Sequence, residues 1–173
     1  MCCRTRPPVF NYRLGERVYM FDTIVIATDG SDSVRRAVDV AVDVAVRFDA
    51  EVHALYVVDS GEVESTPDEV RDDLRDALDD HGEAAIDQVT DAAAARDASL
   101  EITTDVREGR PAPEISGYAR EVGADVVAMG TRGRHGENRF LIGSVAERVV
   151  RTCPIPVLTV RQLTDESPRR TTI

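Results

Sequence analysis

The order of apolar and polar positions along the chain alternates between two periods. Thr23-Ile-Val-Ile-Ala-Thr28 is a short apolar run rich in β-branched residues, as in a strand buried on both faces. It stops at Asp29-Gly30-Ser31. From residue 33 to 48, Val34, Ala37, Val38, Ala41, Val42, Ala45 and Phe48 fall on one helical stripe, and Asp43 and Arg47 can pair on the other face. The local V-D-V-A-V-D-V alternation also permits a strand, but length and position favour helix. Residues 51–58 read as a second strand, ending at Asp59-Ser60-Gly61. Thr66-Pro67-Asp68-Glu69 then has the form of a capping box with Pro at the first helical position, opening a long helix to about Ala98, weakened at Gly82.

The alternation continues to the end of the chain. Residues 100–106, 124–130 and 157–161 read as strands, and 113–122 and 144–152 as helices, the last broken by Pro154 and Pro156. A loop spans 131–143. Strands alternating with helices imply one parallel sheet with helices on both faces, and right-handed crossovers leave few topologies. Ligands of such sheets bind beyond the carboxyl ends of the strands, where the strand order reverses. The ends of the first and fourth strands, Asp29 and Gly130, are the candidates to flank that crevice.

The length of 173 residues fits one domain, here 20–162, preceded by an N-terminal extension (1–19) and followed by a polar tail (163–173). No apolar run approaches the roughly 20 residues of a membrane helix. The extension carries arginines and prolines but no apolar core of a signal peptide, so the expected location is the cytoplasm. Cys2, Cys3 and Cys153 match no zinc spacing and read as reduced thiols. The net charge of −11 argues against a nucleic-acid binder, which needs a basic footprint. Most of the imbalance lies between Glu62 and Asp97, where thirteen carboxylates face three arginines, a solvated outer helix face. There is no Lys anywhere in the chain, which together with the acid suggests a salt-adapted or GC-rich source.

One segment departs from this acidity. Gly130-Thr-Arg-Gly133-Arg-His-Gly-Glu-Asn-Arg-Phe-Leu-Ile-Gly143-Ser144 reads G-x2-G-x9-G-S and holds Arg132, Arg134, His135 and Arg139 against Glu137 alone. Glycines let backbone N–H groups approach a ligand, and Ser144-Val-Ala-Glu147 has the form of a second capping box, which would turn the positive end of a helix toward the loop. A polyphosphate fits such an island. An ordinary mobile loop with Ser144 as a plain cap is the competing reading. Asp29 serves either as a turn residue or as a ribose or metal contact. The Lys of a Walker A loop is missing, and so is the Lys of a phosphorelay receiver. No G-x-G-x-x-G follows the first strand, and no Ser/His/Asp, H-E-x-x-H or paired-Cys arrangement supports hydrolysis.

The G-x2-G-x9-G-S spacing after Ala124-Asp-Val-Val-Ala-Met129, with Ile24-Val-Ile-Ala-Thr-Asp-Gly-Ser31, Leu55-Tyr-Val-Val-Asp59 and Cys153-Pro-Ile-Pro-Val-Leu-Thr-Val-Arg161, resembles the ATP-binding class of universal stress proteins. The resemblance runs from about Phe21 to Arg161. It implies a Rossmann-like five-stranded parallel sheet of order 3-2-1-4-5, related to the adenine nucleotide alpha hydrolases. It also implies a homodimer, for which the edge strand Val157–Val160 offers an uncharged surface. By position, Asp29 would contact ribose or the phosphate–metal region, and Val57 would offer backbone hydrogen bonds to adenine, with Ala27 and Met129 near base or ribose. Gly130, Arg132 and Gly133 would line ribose and phosphates, and Gly143, Ser144 and Val145 would hold the phosphates. The implied ligand is ATP, or AMP or ADP, with Mg2+ carried on the phosphates. Ala146 departs from the family pattern, standing where some members have Ser or Thr, and residues 1–19 have no counterpart in it. Met20 directly precedes the first strand, so the extension is either an upstream mis-start or a flexible arm. The function implied is a nucleotide-binding stress or signalling module with little or no turnover. An ATP-independent interaction module of the same fold and a slow ATPase are the alternatives.

Overall fold

The computed structural model of the protein describes residues 21–133 and 142–162. Strands β1 (Thr23–Thr28), β2 (Glu51–Asp59), β3 (Ile102–Gly109), β4 (Val126–Gly130) and β5 (Val157–Val160) form one parallel sheet in the order β3-β2-β1-β4-β5. The helices are α1 (Arg35–Phe48), α2 (Ser60–Glu64), α3 (Asp68–Arg96), α4 (Pro111–Glu121) and α5 (Ser144–Thr152). This is the expected α/β class and strand order.

Every residue of β1 is buried, as its unbroken apolar run requires, and its side chains divide between two cores. Ile24 and Ile26 join Val52, Ala54, Tyr56 and Val126 under α1 and α3. Val25 and Ala27 join Leu55, Val127 and Met129 under α4 and α5. The helical stripe of α1 is the part of the chain that buries Ala37, Val38, Ala41, Val42 and Ala45, so the 3.6-residue period prevails over the local alternation. Asp43 pairs with Arg96 of α3, Nε to Oδ1 2.6 Å, rather than with Arg47, and Arg96 also reaches Asp39 at 2.8 Å. The hydrogen bond that Arg96 donates to Asp43 is the main reason its guanidinium holds its proton more tightly than usual.

Local expectations change at three places. The short helix α2 has no counterpart in the sequence reading; the Asp59 carboxylate caps it, accepting from Gly61 N at 2.9 Å. Thr66 does not cap α3. That helix starts at Asp68 after Pro67, and the Thr66 hydroxyl donates instead to the Glu62 carbonyl at 3.0 Å. The third strand and the helix after it are also displaced, to Ile102–Gly109 and Pro111–Glu121, because the β2 ladder continues through Asp59↔Gly109.

A polar group lies within the α4 core. His53 Nε2 meets Glu51 Oε1 at 2.9 Å, and His53 Nδ1 meets the Tyr118 hydroxyl at 2.9 Å. A carboxylate only accepts, so Nε2 carries the proton and, in the neutral ring, Nδ1 accepts from Tyr118. Burial raises the Tyr118 pKa, with Asp105 adding to it, which keeps that hydroxyl a donor.

Helix α3 runs unbroken through Gly82, because there the missing side chain is a packing requirement. A Cβ at Gly82 would lie 2.7 Å from Tyr56 Cδ1, and Tyr56 is 1% exposed. Gly82→Ala would gain about 1 kcal/mol of helix propensity and lose about 1–3 kcal/mol to overpacking. At the middle of that range the net loss is about 1 kcal/mol, which lowers the melting temperature by roughly 2–4 °C for this size of domain. A thermal melt at or above the wild-type value would show that the ring yields.

Candidate functional site

Strands β1 and β4 are neighbours, but the chain leaves them toward opposite faces: β1 feeds α1, and β4 feeds α5. Their diverging ends open a cavity of about 340 Å³ at the carboxyl edge of the sheet. Its floor is a row of side chains in register on one face, with Leu55 beside Ala27 and Ala27 beside Met129. Val57 extends that row past the end of β1. Ile115 and Pro111 of α4 form the wall above it.

The far wall is backbone. Gly130 closes β4, and a Cβ there would lie 3.0 Å from the Arg132 carbonyl, so a side chain would crowd the tight turn into the loop. Gly143 N–H donates to Thr131 O at 2.7 Å, and Thr131 N–H to Val160 O at 3.1 Å. These two bonds close the base of the loop and seat its return beside β4. The earliest bond of α5 runs from Glu147 N–H to Gly143 O at 2.8 Å. The amides of Ser144, Val145 and Ala146 therefore project from the helix start, alongside the loop glycines. Here the structure corrects the sequence reading. Gly143, not Ser144, is the N-cap, and Ser144 is the first helical residue, exposed at the cavity rim. Glu147 pairs with Arg151 one turn on, instead of completing a capping box.

Asp29 stands between floor and loop. Its Oδ1 accepts from Ser31 N at 3.1 Å and from Ser31 Oγ at 2.7 Å. Its Oδ2 faces Gly133 so closely that a Cβ there would lie 2.6 Å away. Ser31 Oγ meets Ser33 Oγ at 2.8 Å, and Ser33 Oγ reaches toward Gly133 O at 3.5 Å, which ties the β1 turn to the loop.

Parity along the ladder decides what Val57 offers. Glu51 N–H donates to Asp22 O and Val52 N–H to Glu101 O, so residues 51, 53, 55 and 57 direct their backbone toward β1. β1 ends at Thr28, and the next amide in line, that of Gly30, donates to Thr28 Oγ1 at 3.2 Å. The Val57 carbonyl thus points past the end of β1, at the cavity floor.

All ten residues singled out from the sequence line this one cavity: Ala27, Asp29, Val57, Met129, Gly130, Arg132, Gly133, Gly143, Ser144 and Val145. The other basic residues of the island, Arg134, His135 and Arg139, lie outside the described residues. Among the described lining residues, Asp29, Asp59 and Glu62 stand against Arg132. Asp59 and Glu62 were missed in the sequence, although Asp59-Ser-Gly-Glu62 is itself a capping-box pattern that marks α2. Leu55 was legible from its alternation with Val57. Pro111 and Ile115 required knowing where α4 begins and which face it covers.

The sequence model of the universal stress protein family matches residues 20–161. A universal stress protein of Methanocaldococcus jannaschii is 41% identical over 151 residues, covering 87% of this chain and 86% of its own. The solved structure of universal stress protein UspA from Lactobacillus plantarum is 30% identical and superposes with a TM-score of 0.70 over 80% of this chain and 97% of that one. A universal stress protein crystallised in complex with cAMP is 28% identical, with a TM-score of 0.57 over 82% of this chain and 97% of that one. With this sheet order, this cavity and these likenesses, the chain belongs to the universal stress protein family.

Proposed function

We propose that the protein is an ATP-binding stress or signalling module of the cytoplasm, holding ATP with Mg2+ on its phosphates and turning it over slowly or not at all. The observation that carries this reading is the pairing of a flat apolar floor with a wall of backbone amides. Ala27, Val57 and Met129 suit a planar base, and the Val57 carbonyl suits its exocyclic amine. Gly130 and Arg132 suit ribose, and Gly133, Gly143, Ser144 and Val145 suit phosphates at a helix start. Asp29 is the carboxylate within reach of a metal-bearing phosphate end. The cAMP complex of a relative supports an adenine nucleotide as the ligand class.

ATP with Mg2+ stabilises the fold in this reading. At about 100 times Kd the linkage is roughly 2.7 kcal/mol, a rise in melting temperature of roughly 5–10 °C. No rise with millimolar ATP, ADP or AMP, in a salt where the protein is folded, would remove the nucleotide reading. Two glycine variants separate loop from carboxylate. Gly133→Ala must displace Asp29 Oδ2 and is expected to weaken ATP binding roughly ten- to a hundredfold. Gly143→Ala makes only ordinary van der Waals contacts, the nearest with Thr131 O at 3.5 Å, so it keeps the unliganded melting temperature and tests phosphate approach alone. Titration calorimetry with equal affinity in both variants and wild type would place the ligand elsewhere.

The second part of the proposal is a homodimer through Val157–Val160. Pro156 and Val160 carbonyls accept from Val127 of β4 and from Thr131 just beyond it, so residues 157 and 159 direct their backbone to the outer edge. Leu158 packs on the core of its own subunit, which leaves backbone pairing across a two-fold axis as the association mode to test. Thr159→Pro removes an outward N–H while sparing the β4 ladder, and is expected to convert a dimer to a folded monomer. Light scattering that finds the wild type monomeric at tens of micromolar would refute the dimer.

A further inference from the structure

Asp29 owes its place to a residue on the far side of the sheet. α3 packs against the face opposite α4 and α5, and from it His81 Nε2 reaches the Asp29 carbonyl at 2.9 Å. A carbonyl only accepts, so Nε2 carries the proton. The other end of the same peptide, Gly30 N–H, donates to Thr28 Oγ1 at 3.2 Å. The 29–30 peptide is therefore held at both ends by side chains. Gly30 then turns left-handed, φ 72°, with its Cα against the imidazole: a Cβ there would lie 2.9 Å from His81 Nε2. The ring is itself fixed edge-on to the buried Tyr56, centroids 5.9 Å apart at 68°.

These contacts determine the direction of the Asp29 side chain. The planar 29–30 peptide turns as one unit about the line between its two Cα atoms, and the bonds at its O and its N–H both hold that rotation. With the carbonyl drawn toward α3, the carboxylate points the opposite way, to Ser31 and Gly133. We propose that His81 is a positioning residue, which holds the Asp29 carboxylate at the nucleotide end of the cavity by anchoring the 29–30 peptide from the opposite face of the sheet. The inference rests on the nucleotide reading of the cavity. It also gives α3 a mechanical connection to the ligand loop, since displacing His81 releases Asp29 and, through Ser31 and Ser33, the contact toward Gly133.

The test is titration calorimetry of the full chain with ATP and Mg2+, together with unliganded melting temperatures. His81→Phe keeps a ring beside Tyr56 and removes the donor. It is expected to weaken ATP about five- to tenfold, the scale of one hydrogen bond. His81→Gln, whose amide can donate from the same region, recovers most of that loss. The effect passes through the carboxylate, so in an Asp29→Ala background His81→Phe changes affinity less than about twofold. Thr28→Val, which removes the anchor at the other end of the peptide, weakens ATP to a similar degree and decides the matter if His81→Phe does not fold. Wild-type affinity in both His81→Phe and Thr28→Val would overturn the role of His81 while leaving nucleotide binding intact. So would a loss of the same size with and without Asp29. A wild-type chain that binds no nucleotide would overturn both readings, a result distinct from either of those.

Discussion

Two adjacent parallel strands whose chains depart to opposite faces of a sheet cannot be covered at their carboxyl ends by either connection. That constraint, at β1 and β4, generates the cavity and much of what surrounds it. It requires β1 to be buried on both faces, since it lies at the centre of the sheet and contributes to both cores. At the opposite end, where the two strands start together, Asp22 N and Thr23 N donate to Asp125 Oδ2 at 2.7 and 3.0 Å. The split at one end is matched by a clamp at the other.

The two walls of the cavity differ in kind. The β2 side is apolar side chain with one outward carbonyl, and it ends in the acidic turn of Asp59 and Glu62. The β4 side is glycine and amide. A ligand with a flat ring at one end and anionic oxygens at the other satisfies both, whereas a wholly apolar or wholly anionic molecule satisfies one. The charge of the chain as a whole is thereby separated from the charge of its site. Most of the net negative charge lies on α3, where ten carboxylates stand against three arginines on the outer surface of the other face, and where ion pairs such as Arg71–Asp68 and Arg75–Glu108 are exposed and individually weak.

Helix α3 does more than cover one face. Gly82 lets it approach Tyr56, and His81 on the preceding position reaches the end of β1. A side chain at residue 82 would press on the Tyr56 ring, beside which His81 stands. One glycine in an otherwise acidic helix thus joins core packing to the geometry of the ligand turn, although in sequence it reads only as a weak point.

By itself, the sequence determined the class, the parallel sheet and the end of the molecule at which the cavity opens. Each of these follows from local patterns: apolar runs of strand length, a helical stripe at 34–48, and glycines spaced around a strand end. The resemblance to universal stress proteins, carried over by position, named ten residues that converge on one cavity. What only the tertiary structure decided depends on neighbours distant in the chain. Ser144 lost the cap to Gly143 because the Gly143–Thr131 hydrogen bond sets where the helix can begin. Asp43 chose Arg96 over Arg47 because α3 lies across α1. The direction of the Val57 carbonyl follows from ladder parity and from where β1 stops. The contact between His81 and Asp29 joins residues 52 positions apart across a sheet, and no periodicity of either segment encodes it.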